Sequence, residues 1–217
     1  MIRGDPKLKI RHGARLPHWT REGASYAVTF RLADSLPKTV LDSWDFERRD
    51  LIKTAKQQGC PLTSHEAKRL DALFTTKVDK CLDEGQGHCR LREDRIATVV
   101  ASAVEFFEGS RYRLFAWCVM PNHVHLVLQP VPGHELPHIP HSWKSYTAKE
   151  INKTLGTTGE FWEVEYYDHL IRDAQDFKAQ VETALTNPMK AGLQNWKWTS
   201  LARDENRSTG VPPVGLK

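Results

Sequence analysis

The feature that most constrains this chain is Met120-Pro121-Asn122-His123-Val124-His125-Leu126-Val127-Leu128, a turn followed at once by a strongly apolar strand that opens with two histidines. Side chains alternate along a strand, so His123 and His125 face one side while Val124, Leu126 and Leu128 face the other. Two imidazoles therefore stand side by side above a packed sheet. Neutral imidazole is a common metal ligand, and adjacent positions on one face suit half of a divalent-metal site. Taken alone, the pair also reads as one surface histidine beside one hydrogen-bonded sheet histidine, because such pairs arise by composition.

The segments around this strand alternate between the two structural periods. Ser25 to Leu32 alternates and is rich in β-branched and aromatic residues, so it reads as a strand that Asp34-Ser35-Leu36-Pro37 stops. From Thr39 to about Asp83 the apolar positions fall at helical spacing around a Gly59-Cys60-Pro61 break, which predicts an inserted helical hairpin. Ile96, Val99, Val100, Val104 and Phe107 predict a helix over about 93–108, closed by Gly109. Arg111 to Val119 and His123 to Gln129 form two strands joined by a turn short enough for a hairpin. After a loop from Pro130 to Pro140, a helix is expected from Ser142 to about Leu155, with Trp143, Thr147 and Ile151 on one side. Phe161 to Ile171 reads as extended and aromatic, and Asp173 as the N-cap of a helix over Ala174 to about Thr186. Pro188 disfavours helical geometry at Asn187, which predicts a distorted last turn. The sum is an α+β fold, a small antiparallel sheet with helices on one face, related to the split βαβ arrangement. The expected organisation is a basic arm over 1–21, a domain over 22–200 with the helical insert at about 39–83, and a disordered tail over 201–217.

Charge and cysteine usage narrow the partners. The formal charge is +4, and the first 21 residues carry Arg3, Lys7, Lys9, Arg11, Arg15 and Arg21 against Asp5. Such an arm is solvated by default and suits phosphate contacts. Cys60, Cys81, Cys89 and Cys118 form no CxxC pair, and the opening MIRGDPKLKI lacks the apolar core of a signal peptide, so reduced thiols in a cytoplasmic protein are expected. No apolar run approaches the roughly 18 residues that span a bilayer.

Several ordered motifs together resemble the REP-associated tyrosine transposases, a Y1-type branch of the HUH single-strand DNA endonucleases. The matching residues are Tyr26-Ala-Val-Thr-Phe-Arg-Leu-Ala-Asp-Ser-Leu-Pro37, Ala116-Trp-Cys-Val-Met-Pro-Asn-His-Val-His-Leu126, Tyr167-Asp-His-Leu-Ile-Arg-Asp173 and Asn187-Pro-Met-Lys-Ala-Gly-Leu193. His-Ser-Trp-Lys-Ser-Tyr-Thr-Ala-Lys-Glu over 141–150 is also similar to the family, and coverage runs from roughly residue 15 to 200. The resemblance implies a ferredoxin-like sheet on which His123 and His125 hold Mg²⁺ or Mn²⁺, with Asn187 supplying an amide oxygen as third ligand. Imidazole ligands also admit Zn²⁺ or Ni²⁺. The implied partner is single-stranded or hairpin DNA of repeated palindromic elements, bound by a monomer or homodimer, with Arg11, Arg15, Lys144, Lys149, Arg172 and Lys190 as candidate phosphate contacts. Lys144 and Lys149 read equally as a solvated helix face, and Arg172 as a pin for Asp168 or Asp173.

One position departs from the family. Its nucleophile is a tyrosine four residues before the asparagine, and in Val181-Glu182-Thr183-Ala184-Leu185-Thr186-Asn187-Pro188 that position is Thr183. A threonine hydroxyl is several ångströms shorter in reach and far less acidic than a phenol, whose pKa is about 10. Tyr166 and Tyr167, on the neighbouring extended segment, are the substitutes to consider, although aromatic strand residues are usually packing residues. Three functions follow: a transposase that cuts and rejoins DNA, a hairpin-binding module without strand transfer, or a metal hydrolase that uses activated water.

Overall fold

A computed structural model describes residues 9–12, 17–43 and 80–201, with isolated positions 46, 53 and 78. Strands β1 (Lys9–His12), β2 (Pro17–Thr20) and β3 (Tyr26–Arg31) are followed by the short helix α1 (Lys80–Asp83), a 3₁₀ turn (Arg90–Arg92) and helix α2 (Asp94–Glu105). Then come β4 (Tyr112–Val119), β5 (His123–Pro130), α3 (His138–Leu155), β6 (Tyr167–Leu170), α4 (Ala174–Lys190) and β7 (Thr199–Leu201).

Five strands form one sheet in the order β6-β3-β5-β4-β7, every neighbouring pair antiparallel. Leaving aside the edge strand β7, this is the ferredoxin-like order: β3 and β5 lie at the centre, and the helices α2 and α3 make the two crossovers. The register explains why the histidine strand is central. β5 pairs with β3 from Tyr26 opposite Leu128 to Arg31 opposite His123, and with β4 from Tyr112 opposite Pro130 to Val119 opposite Val124. Met120, Pro121 and Asn122 close the β4–β5 hairpin as the turn residues predict, with the Met120 amide donating to the His123 carbonyl at 2.8 Å.

On one face, Val124, Leu126 and Leu128 join Val28, Phe30, Leu114, Trp117 and Val119 beneath α2 and α3. The polar atoms of the large rings there are all used. Trp143 Nε1 donates to the Tyr112 hydroxyl at 3.0 Å, that hydroxyl donates to the Val104 carbonyl at 2.6 Å, and Trp162 Nε1 donates to Thr147 Oγ1 at 2.9 Å. On the opposite face Ala116, Val127, Ile171 and Ala184 form a smaller cluster with Phe115, Phe177, Val181 and Leu185, so α4 covers the face that carries the histidines. The α+β sheet with two helices on one face is as the sequence predicts, and the third helix lies across the other face.

The differences from the sequence reading are local and have physical causes. Helix α3 begins at His138, taking in Pro140, where a loop through Pro140 was expected. Proline is tolerated in a first turn, whose amides lack intrahelical acceptors. Helix α4 continues through Pro188 to Lys190, although a distorted last turn was expected; Ala184, Asn187 and Pro188 are buried against the sheet, and the Pro188 carbonyl accepts from Leu193 at 2.8 Å. Asp173 caps this helix as expected, accepting from the Gln175 and Asp176 amides at 2.9 and 2.8 Å. Only Tyr167–Leu170 of the aromatic 161–171 segment is a strand, with Trp162 bridging Leu32.

The N-terminal arm contains the two-stranded hairpin β1–β2. Its His18 is buried, hydrogen-bonded to Asp168 of β6 and packed at 4.8 Å on the Tyr166 ring, so the hairpin is fastened to the sheet edge. Most of the insert expected at 39–83 and the tail after Leu201 lie outside the described residues.

Candidate metal centre

His123 is 0% exposed and His125 8% exposed, beneath helix α4. Their Nε2 atoms are 2.9 Å apart and their rings meet edge to face. The hydrogen bonds around them fix which nitrogen carries hydrogen. Asn122 Nδ2 donates to the Gln86 carbonyl at 3.0 Å, which orients that amide. Asn122 Oδ1 then lies 2.7 Å from His123 Nδ1 and can only accept, so His123 carries its hydrogen on Nδ1 and offers a lone pair at Nε2. His125 Nε2 therefore donates across the 2.9 Å contact, and His125 Nδ1 accepts from Thr29 Oγ1 at 2.8 Å. A hydroxyl can turn from donor to acceptor, so Thr29 permits either tautomer of His125.

Burial keeps both rings neutral. It holds His123 well below the ordinary histidine range, with the neighbouring His125 adding to the effect. His125 is lowered to about 4, by burial first and by the positive charge of Lys190 second. Neutral imidazole is the form that binds metal.

Three further side chains complete the surroundings. Asn187 on α4 brings Nδ2 to 3.4 Å from His123 Nε2. Its amide nitrogen, rather than the oxygen expected to act as ligand, faces the pair. Asp83 Oδ1 lies 3.9 Å from His123 Nε2. Burial raises the Asp83 pKa, against the opposing pull of Asn187 and Lys190. Cys118 pairs with His125 across the β4–β5 ladder, and burial pushes its thiol up to about 12, so it stays a neutral wall of the site. Among the described residues, no group of three or more histidine, cysteine, aspartate or glutamate side chains could hold a metal ion as it stands.

Thr183 lies one helical turn before Asn187 on α4 and is half-buried, which keeps it on the side of the helix that meets the sheet. The two tyrosines separate by face. Tyr166 is buried on His18 and belongs to the main apolar cluster. Tyr167 pairs with Thr29, which pairs with His125, so Tyr167, Thr29, His125 and Cys118 share one rung and one face of the sheet. Its ring packs with Leu36, Val78 and Leu82.

The candidate phosphate contacts differ in how far they are exposed. Lys144 Nζ donates to the Val164 and Glu165 carbonyls at 2.5 and 3.4 Å, and burial lowers it to about 8, so it is engaged within the fold. Lys149, Arg172 and Lys190 are exposed. Arg172 pins neither aspartate proposed for it: Asp168 is held by His18 and Asp173 caps α4. Arg11 lies in β1 with its side chain outside the described residues, and Arg15 lies outside them altogether.

Thr29, Asn122 and Asp83 are the participants that the sequence reading missed. Asn122 sat within the quoted turn motif. Thr29 was legible in principle as a polar residue on the alternation of β3. Asp83 had no local signal, since it arrives from the insert.

No helix among the described residues is long and apolar enough to cross a membrane. Residues 90–179 match the family model described as "Transposase IS200 like". A REP-associated tyrosine transposase of Escherichia coli (strain K12) is 24% identical over 107 residues, 48% of this chain and 61% of that protein. A relative of the same type from Haemophilus influenzae is 24% identical over 108 residues, 43% of this chain and 61% of its own length. The chain thus spans about three fifths of the curated relatives it matches. A solved REP-associated tyrosine transposase bound to a REP hairpin superposes with a TM-score of 0.46 at 15% identity, covering 82% of this chain and 76% of that one. The family match runs from the 3₁₀ turn through the histidine strand into α4, the segment that builds the buried imidazole pair, and over that segment the chain is similar to the IS200-like transposases, with REP-associated tyrosine transposases among the proteins it resembles.

Proposed function

We propose that this protein binds hairpin and single-stranded DNA around a Mg²⁺ or Mn²⁺ ion held by His123 and His125, and that it lacks tyrosine-based strand cleavage because Thr183 stands where the nucleophile belongs. The observation that carries this reading is the pair of buried, neutral imidazoles 2.9 Å apart beneath the helix that bears both Asn187 and Thr183.

The residues fit a divalent ion. Neighbouring ligands of an octahedral ion, each about 2.1 Å from it, stand about 3 Å apart, and the two Nε2 atoms are separated by 2.9 Å. Both Nδ1 atoms are held by oxygens, the outer support that metal-bound histidines require. Asn187 adds its amide oxygen once the amide turns end for end. When bound, the ion supplies Lewis-acid polarisation of a phosphodiester.

The protein's own groups then set the limits of the chemistry. Asn122 and Thr29 orient the rings, and α4 excludes water from them. Exposed Lys149, Arg172 and Lys190, with Arg11 and Arg15 on the N-terminal segment, supply phosphate contacts that add affinity without reading sequence. Thr183 offers a short alcohol whose high pKa makes it a poor nucleophile and a poor leaving group, so reversible joining through an enzyme ester is not expected of it. The family's association with repeated palindromic elements makes a hairpin the DNA form to test.

A second reading has one observation in its favour: Tyr167 shares the histidine face, two strands from His125 and so about 10 Å away at the backbone. Its phenol would have to leave the apolar cluster around Leu36 and Leu82 to reach a bound phosphate.

One gel separates these readings. The protein is incubated with a labelled hairpin oligonucleotide and Mn²⁺, then run with and without SDS. The expected result is a native mobility shift and no SDS-resistant, protease-sensitive band, with Thr183→Tyr producing that band and a further His125→Ala removing it. An adduct formed by the unaltered chain overturns the loss of cleavage, and its disappearance in Tyr167→Phe assigns it to Tyr167.

A further inference from the structure

We infer that Asp83 is an additional, anionic ligand of the divalent cation, delivered to the histidine pair by the segment inserted between β3 and α2. The inference rests on the metal reading above and names a residue outside the His123, His125 and Asn187 set.

Asp83 ends the short helix α1, whose Leu82 is anchored in the small cluster with Leu36 and Val78. That anchoring turns the carboxylate toward His123. Asp83 Oδ1 is buried and has no hydrogen-bond partner, 3.9 Å from His123 Nε2. Buried polar atoms are almost always satisfied, so an orphaned carboxylate oxygen calls for a partner. His123 cannot be that partner. Its hydrogen is on Nδ1, bonded to Asn122, so Nε2 presents a lone pair. Two electron-rich atoms therefore face one another across a gap too wide for a hydrogen bond, with a third nitrogen, His125 Nε2, 2.9 Å from the first. The orphaned atom is the Asp83 oxygen, because the two Nε2 atoms share a hydrogen bond. A cation would satisfy that oxygen and, with the His125 hydrogen moved to Nδ1 and accepted by Thr29, could be held by both Nε2 lone pairs as well.

The donor set points the same way. Two neutral imidazoles and an amide carry no charge, whereas Mg²⁺ and Mn²⁺ favour carboxylate oxygens. No other carboxylate among the described residues pairs with either histidine. As they stand, Asp83 and the two histidines do not enclose a common point, so Asp83 must approach as the ion binds. Its position on a four-residue helix, with its side chain 31% exposed, leaves it room to do so.

The test is isothermal titration of the full chain with Mn²⁺, Mg²⁺ and Ni²⁺, comparing the unaltered protein with Asp83→Asn, Asp83→Glu and His125→Ala. Asp83→Asn is expected to weaken Mn²⁺ about 10- to 100-fold, the range seen when supporting groups of a metal site are removed. Mg²⁺ should fall at least as far, while Ni²⁺, held mainly by imidazole, should change by less than about threefold. Asp83→Glu should keep measurable Mg²⁺ binding, and Tm in EDTA should match the unaltered chain for both. Mn²⁺ and Mg²⁺ binding unchanged in Asp83→Asn overturns the inference and leaves the histidine site standing. Equal loss of all three metals together with a lower Tm in EDTA, in both Asp83 variants, overturns it in favour of a structural role. No Mn²⁺ binding by the unaltered chain overturns this inference and the metal reading together.

Discussion

On one face of the central sheet Val124, Leu126 and Leu128 meet two helices, and on the other face of the same strand His123 and His125 meet one. The first face is filled with large side chains, among them Trp143, Tyr112, Phe30 and Ile151, all less than 2% exposed. The second carries a smaller apolar cluster around Val127, Ile171 and Phe177, and beside it a polar region in which Thr29, Cys118 and Asn187 adjoin the imidazoles. Alternation along β5 thus divides the labour within a single strand. The apolar side supplies the free energy of folding, roughly 1.5–3 kcal/mol for each large side chain buried. That stability lets the polar side hold two desolvated imidazoles, which by themselves oppose folding whenever they could be protonated.

Trp143→Ala should give the largest difference between the faces. It removes the indole from between Phe30 and Tyr112 and leaves the Tyr112 hydroxyl without its Trp143 donor. A loss of about 3–5 kcal/mol is expected in urea unfolding. His125→Ala, equally central but on the other face, should cost far less in stability while abolishing Mn²⁺ binding. Comparable stability losses for the two would break the division of labour.

The second difference is one of pH. His125 has a folded pKa of about 4 against 6.5 in the unfolded chain. A depressed pKa means that the unfolded state binds the proton first as pH falls. The contribution is fully present above 6.5 and is lost progressively between 6.5 and 4, by about 3 kcal/mol in all. His123 shifts in the same direction. Urea midpoints measured from pH 7.5 to 4.5 should fall accordingly, and the slope should shrink in His125→Ala but not in variants of the apolar face. An unchanged slope in His125→Ala contradicts the buried neutral pair.

These two faces also differ in how far the sequence disclosed them. Period-two alternation in 25–32 and 123–129 and period-3.6 spacing in 93–108 were enough to place the central strands and α2, because burial of a whole face leaves a regular trace. The His123 and His125 side of β5 was legible for the same reason. The rest of the site was not, since contacts between residues far apart in sequence leave no such trace. Asp83 reaches His123 over 40 positions, and Thr29 reaches His125 over 96. His18, read as part of a solvated arm, locks the β1–β2 hairpin to Asp168 over 150. Pro140 and Pro188 misled at helix ends because tertiary packing and the unpaired first-turn amides offset a local preference.

The smallest expected effects concern two lysines on one helix, and they extend the same contrast from the sheet to the surface. Lys144 and Lys149 both lie on α3 and were equal candidates for phosphate. Lys144 spends its ammonium on the Val164 and Glu165 carbonyls, tying the segment before β6 to α3, whereas Lys149 is exposed. If position decides role, Lys149→Ala should weaken hairpin binding by a few-fold at low salt and reduce the slope of log K against log[salt] by about 1, with no change in Tm. Lys144→Met should do the reverse. It removes bonds to two carbonyls and should lower stability by about 1 kcal/mol, leaving the salt slope unchanged. Binding titrations over a range of salt concentrations, run beside thermal melts, read both quantities on the same samples. A reduced salt slope in Lys144→Met would show that DNA draws this lysine out of its carbonyl contacts, and would move the DNA path from the exposed side of α3 toward β6.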